Sequence, residues 1–130
     1  MFKKLLLLCF LIIGAATVHA QTLKITDIDY DDKRMNNADV NGLLGKSITL
    51  TFFDRKVRVV MAGDKPVVLS KDNGNSYSIS GDYGKGSTMS WYLQTETTLS
   101  VVTSVIYKVT ISEKQSPYRS STLTVTGKRF

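Results

Sequence analysis

The main pattern along the chain is an alternation of apolar and polar residues, which gives each extended segment one apolar and one polar face. Ile48, Leu50 and Phe52 alternate with threonines, and the longest such run covers 99–111. This period of two is typical of strands that are buried on one side. It predicts about eight strands, at 22–30, 46–53, 56–62, 65–70, 75–80, 87–94, 97–112 and 119–128.

Two segments depart from simple alternation near the start of the chain. The inward parity changes between Ile25 and Ile28, for which a β-bulge is the simplest account. The segment 36–44 is the only plausible helical turn, because it begins with an Asn and is followed by Gly45.

The run 99–111 places Leu99 and Val101 on the same parity as Tyr107, and we expect this parity to face the core. Val102 interrupts the opposite, polar face. The run is therefore one long bent strand or two strands broken near Thr103.

Short turn signals separate the predicted strands and favour antiparallel hairpins. They include Asp54-Arg55, Gly63-Asp64, Asn73-Gly74, the Gly-rich 81–86 and Thr95-Glu96. Hairpin-linked strands close most economically into a single antiparallel up-and-down β-barrel, which also removes exposed edges. A β-sandwich is the alternative fold, because its strands alternate in the same way.

Residues 1–20 have the layout of a secretory signal peptide. Lys3 and Lys4 give a positive start, nine apolar residues follow at 5–13, and Val18-His19-Ala20 is typical of a cleavage site. The apolar run is shorter than the ~20 residues that span a bilayer. The sequence therefore predicts cleavage after Ala20, one mature domain at 21–130, no membrane insertion, and a periplasmic or secreted location.

Cleavage would remove Cys9 and His19, the only cysteine and histidine of the chain. The mature domain could then form no disulfide, no histidine or thiolate metal site, and no nucleophilic centre with an imidazole base. Its 15 basic and 11 acidic residues give a net charge of +4, without the basic, aromatic-rich cluster typical of nucleic-acid binding. We expect no enzymatic activity, no cofactor and no nucleic-acid partner.

The densest acidic cluster spans 27–32 and consists of Asp27, Asp29, Asp31 and Asp32. Alternating carboxylates can converge on a cation such as Ca²⁺, but the spacing does not match an EF-hand loop. We favour a strand that runs into a solvated loop, where Lys33 and Arg34 offset part of the charge, and we expect no metal site.

Four aromatic residues lie on the apolar parity of separate predicted strands: Phe52, Tyr77, Trp91 and Tyr107. Aromatic side chains at such positions usually belong to the core. In a barrel, inward-facing residues also line any cavity that exists. These four are therefore the predicted ligand-binding residues.

Two stretches resemble the small lipocalin-like (calycin-type) proteins exported by Bacteroidetes. The segment 43–52 is similar to their Leu-(Leu/Val)-Gly-x-(Trp)-x-(Leu/Ile) opening, with Ser47 where the family usually has Trp, and 121–128 is similar to their final strand. Gln21, directly after the predicted cleavage site, is also common in exported proteins of that group. The resemblance implies an exported β-barrel with a ligand in its interior.

Two functions agree with these observations. The first is a non-enzymatic binding protein that holds a small apolar molecule in the barrel. The second is a protein-interaction or inhibitor domain that contacts an envelope protein through its loops, and exposed Tyr83, Tyr92 or Tyr118 would favour it because interfaces are enriched in tyrosine.

Overall fold

Eight antiparallel strands close into a barrel in the computed structural model, which describes residues 19–82, 84, 86–113 and 119–129. The strands are β1 (His19–Tyr30), β2 (Ser47–Phe53), β3 (Lys56–Met61), β4 (Val67–Asn73), β5 (Ser76–Asp82), β6 (Ser87–Thr98), β7 (Val101–Glu113) and β8 (Ser120–Lys128). Consecutive strands pair, and β1 also pairs with β8. The predicted up-and-down barrel is confirmed, and the sandwich alternative is wrong. Residues 1–18 of the predicted leader, together with Tyr83 and Tyr118, lie outside the described residues.

Strand β1 closes the barrel by pairing with two different neighbours. Its residues 19–24 pair with β2 and its residues 24–30 pair with β8. The register shifts between Ile25 and Asp27, which confirms the predicted bulge. The extra residue allows Ile25, which is buried, and Ile28, which packs against the core, to face the same side of the sheet.

The hairpin of β6 and β7 differs from the prediction in its turn and in part of its parity. Its turn is formed by Leu99 and Ser100, at φ of 53° and 65°, as in the two-residue turns that match the twist of a hairpin. A register shift leaves Thr103 without an opposite residue in the β6–β7 ladder. Val102 is consequently in the core at 2% exposure, whereas Leu99 is 94% and Val101 is 38% exposed. The expected inward orientation of Leu99 and Val101 was wrong.

The two ends of the barrel are built differently. The packed end, as we call it, carries the β2–β3, β4–β5 and β6–β7 turns, and the loop end carries the other connections. Toward the packed end and the middle, the interior is filled by fully buried aliphatic side chains, and a Cβ added to Gly127 would lie 3.0 Å from methyl groups of both Ile48 and Val105. The fully buried side chains are Leu23, Ile25, Ile48, Leu50, Leu69, Leu93, Val57, Val59, Val102, Val105 and Val125.

Hydrogen bonds tie the two chain ends of the barrel together at the packed end. Oε1 of Gln21 accepts from the backbone N–H of Val102 at 2.8 Å and from Nη2 of Arg129 at 2.7 Å. Nε of Arg129 donates to the carbonyl of Val102 at 3.0 Å. Gln21 is in β1, Val102 is in β7 and Arg129 directly follows β8. These bonds therefore hold the first and last strands together at the closing seam, the place where β1 pairs with β8.

Strands β4 and β5 pair along only part of their length. Their ladder ends at Ser70 and Ser78. Beyond it, within the described chain, 67–69 pair only with β3 and 79–81 pair only with β6. Ile79 shares the parity of buried Tyr77 and is nevertheless 41% exposed. The barrel wall is therefore least complete at the loop-end half of these two strands.

Candidate functional site

A cavity of about 350 Å³ occupies the loop end of the barrel. Its walls come from β3, β4, β6, β7 and β8, together with residues of the β1–β2 and β3–β4 connections. Apolar side chains dominate the lining, and many are only half-buried, unlike those of the packed end. The lining residues are Met35, Val40, Val59, Met61, Asp64, Lys65, Val67, Met89, Trp91, Tyr107, Val109, Ile111 and Leu123.

Strand β5 has a glycine near the loop end of the barrel. Gly81 lies opposite Met89 in the β5–β6 ladder and shares the parity of Tyr77, so a side chain there would be on the inner face. A Cβ built on Gly81 would have no heavy atom within 4 Å. Gly81 is therefore next to open space at the same end of the barrel as the cavity.

The β1–β2 connection contributes a lid over the cavity, which we define as residues 31–46. It contains a 3-10 helix, Lys33–Met35, and a single helical turn, α1 (Ala38–Asn41). The predicted helical turn is thus confirmed but is capped by Asn37, whose side chain accepts the backbone N–H of Val40 at 2.9 Å. Met35 and Val40 are half-buried and line the cavity from this side.

Two aspartates attach the lid to the barrel. Oδ1 of Asp31 accepts the backbone N–H of Thr122 at 2.8 Å. Asp32 accepts Nη2 of Arg34 and the hydroxyl of Ser121, both at 2.6 Å. The Arg34 guanidinium, with Ser121, holds the pKa of the Asp32 carboxyl well below its usual range. This attachment therefore stays ionised and intact throughout the neutral range.

The acidic cluster is divided by the end of β1. Asp27 and Asp29 are exposed on the strand, whereas Asp31 and Asp32 hold the lid. Lys33 begins the 3-10 helix and Arg34 pairs with Asp32. Among the described residues, no three His, Cys, Asp or Glu side chains are grouped so that they could hold a metal ion.

The rim of the cavity carries its charged residues. Asp64 and Lys65, in the β3–β4 connection, are exposed and contribute to the lining. Apart from these two, the lining residues whose side chains carry a hydrogen-bonding group are Tyr107, with a hydroxyl, and Trp91, with an indole N–H. Tyr107 is only 3% exposed, and burial raises the pKa of its hydroxyl above the usual range. The phenol is therefore neutral at ordinary pH.

The structure brings together two of the four predicted ligand-binding residues. Trp91 and Tyr107 both line the cavity. Phe52 and Tyr77 lie toward the packed end, where their rings are in tilted contact with centroids 5.8 Å apart. They border a separate shallow depression that includes Asp54 and Lys71 and share no cavity with the other pair.

Several cavity residues were not among the predicted ones. Met61 and Met89 lie on the inward parity of their strands, so alternation could have suggested them. Met35 and Val40 carry no comparable signal, because they reach the cavity through the fold of the lid.

Within the described residues, no helix is long and apolar enough to cross a membrane. Comparisons with known protein families, curated proteins and solved structures return no match for this chain.

Proposed function

We propose that this chain is an exported, non-enzymatic binding protein that holds a small apolar ligand in the loop-end cavity. The observation that carries the proposal is the apolar cavity of about 350 Å³ between the barrel wall and the lid. Its volume is within the range of roughly 300–1,000 Å³ that is usual for small-molecule sites.

The lining is suited to retention of an apolar body. Met35, Met61 and Met89 contribute flexible thioether side chains, which adapt to ligands of different shape. A ligand that buried about 300 Å² of apolar surface would gain roughly 7 kcal/mol. Association entropy offsets at least about 4 kcal/mol of this gain, so we expect dissociation constants in the millimolar range.

The only tryptophan of the chain, Trp91, is in the cavity wall and provides the assay. Titration with neutral lipophiles, such as medium-chain alcohols and terpenoids, should change the Trp91 emission, and native mass spectrometry should detect the complexes. The proposal predicts that Val109→Phe, which fills the cavity from β7, weakens binding at least tenfold.

Ile106→Phe is the matched control, because Ile106 is on the outer face of the same strand and is 38% exposed. Equal binding by both variants, or no response of the wild type to any lipophile, would refute the proposal. Export has its own test, since N-terminal sequencing of protein recovered from the periplasm or medium should begin at Gln21.

We also propose a relationship to the lipocalin-like proteins of Bacteroidetes. Its support is the closed eight-stranded up-and-down barrel together with the stretches 43–52 and 121–128. The position of Ser47, which is exposed at the start of β2, lacks the Trp usual in that family. Arg129, which follows the final strand, binds Gln21 and the Val102 carbonyl.

A second candidate function is an interaction domain that contacts an envelope protein. The observation that favours it is Leu99, which is 94% exposed at the tip of the β6–β7 hairpin with a φ of 53°. A non-Gly residue at positive φ is uncommon, and an apolar side chain at this tip is accessible to a partner protein. Leu99→Asn should relieve the strain and abolish capture of a specific envelope partner; unchanged capture would remove Leu99 from that role.

A further inference from the structure

The wall of the loop-end cavity contains an unused hydrogen-bonding group. Tyr107 is 3% exposed, and its hydroxyl has no hydrogen-bond partner within the described residues. No fully enclosed polar side-chain atom among those residues lacks a partner, so the Tyr107 oxygen is not sealed by protein. Because Tyr107 is a lining residue of the cavity, the cavity is the open space next to this side chain. Buried polar groups are normally paired, and this one faces the space assigned to the ligand.

A second donor is close to the first. In the β6–β7 ladder Trp91 pairs with Val109, and Leu93 pairs with Tyr107. Trp91 and Tyr107 are therefore diagonal neighbours on adjacent strands, a relation in which the Cα atoms are roughly 7–8 Å apart. The indole N–H of Trp91 has no acceptor within the part of the chain that is described. Both groups can donate, so this wall is suited to an oxygen acceptor.

Charge in the cavity limits the kind of acceptor. The charged lining residues are Asp64 and Lys65, which are exposed at the rim. An ionised carboxylate at the depth of Tyr107 would lose its hydration without gaining a cationic partner, which is strongly unfavourable. A carbonyl, ether or hydroxyl oxygen loses less hydration and can accept from the phenol.

We propose that the ligand is a neutral amphiphile that enters with its oxygen first and accepts a hydrogen bond from Tyr107. Its apolar body lies between Met61, Met89 and Val109, beneath Met35 of the lid. This inference rests on the proposed function and specifies the ligand class of the same cavity.

Three probes that share a skeleton test the proposal. Cyclohexyl methyl ketone and isopropenylcyclohexane have nearly the same shape and differ in the hydrogen-bond acceptor, and cyclohexanecarboxylate adds a charge. We expect Tyr107→Phe to weaken binding of the ketone between about two- and tenfold, as for the loss of one hydrogen bond. The affinity for the alkene should change less than twofold. The carboxylate should bind at least tenfold more weakly than the ketone.

Tyr77→Phe is the matched control, because Tyr77 is the other buried tyrosine among the described residues and does not line the cavity. It should change the affinity for neither the ketone nor the alkene. If Tyr107→Phe does not fold, the carbonyl stretch of the ketone bound to wild-type protein gives the same answer. A hydrogen-bonded carbonyl absorbs at a lower frequency than the same ketone in hexane.

Three outcomes would each overturn this inference but leave the proposed function standing. The first is that Tyr107→Phe weakens the binding of ketone and alkene equally. The others are that the bound carbonyl absorbs as in hexane, or that the carboxylate binds as tightly as the ketone. Failure of all three probes to bind wild-type protein would overturn the proposed function together with it.

Discussion

Two glycines on the inner face of the barrel offer a direct test of the difference between its ends. A Cβ at Gly127 would lie 3.0 Å from Cγ2 of Ile48, 3.0 Å from Cγ1 of Val105 and 3.5 Å from Cβ of Leu23. Overpacking of this kind costs about 1–3 kcal/mol. Gly→Ala also lowers the entropy of the unfolded chain, which stabilises the fold by about 0.4–1 kcal/mol. The midpoints of the two ranges leave Gly127→Ala destabilised by about 1.3 kcal/mol.

Gly81→Ala is the matched control. Its Cβ would meet no heavy atom within 4 Å, and its φ is not in the left-handed region. We therefore expect a stability equal to that of wild type or higher by up to about 1 kcal/mol.

Urea denaturation followed by circular dichroism measures both changes, provided that the m-value stays constant. Gly127→Ala should be less stable than wild type, and Gly81→Ala should be at least as stable as wild type. A Gly127→Ala variant as stable as wild type, or a Gly81→Ala variant that is clearly less stable, would refute the assignment of the packed end and the cavity.

Two further predictions concern the hydrogen bonds that hold the lid and the closing seam. The depressed pKa of Asp32 means that its contribution is present above the unfolded-state pKa of about 3.9 and is lost as the pH falls toward the lower folded-state pKa. Acidification from pH 4 to pH 2 should therefore lower the protection factors of the lid amides in wild type, after correction for the intrinsic exchange rate at each pH, whereas Asp32→Asn should show low protection factors at both values. Equal protection of the lid in wild type and Asp32→Asn at pH 7 would contradict this role of the Arg34 pairing. Arg129→Leu leaves Oε1 of Gln21 and the Val102 carbonyl without their guanidinium partner. Thermal unfolding should therefore show a free energy of unfolding that is lower by about 1–3 kcal/mol. An unchanged melting curve would show that these hydrogen bonds do not stabilise the closing seam.

Most of the fold could be predicted from alternation, and its failures have local causes. The bulge in β1 was visible because Ile25 and Ile28 are both apolar and differ in parity. The bulge at Thr103 was hidden, since Val101 and Val102 are both apolar and either could be inward. The turn at residues 99–100 contains no Gly or Asn, the residues that usually mark positive φ.

The position of the cavity could not be predicted from alternation. Phe52 and Tyr77 lie on the same inward parity as Trp91 and Tyr107, but the first pair fills the packed end and the second lines the cavity. The difference depends on how far each residue is from the end of its strand and on where the β4–β5 ladder stops. Both follow from the register of the closed barrel, which only the three-dimensional arrangement defines.

The incomplete β4–β5 ladder also has a consequence for motion. Backbone amides of 67–69 and 79–81 that point toward the gap have no partner strand there. Their hydrogens should exchange with solvent far faster than those of the continuous β6–β7 ladder, because no cooperative opening is needed first. The barrel can therefore widen between β4 and β5 while the rest of the sheet stays intact. For the ligand that we propose, such widening would provide a route through the side wall that does not require global unfolding.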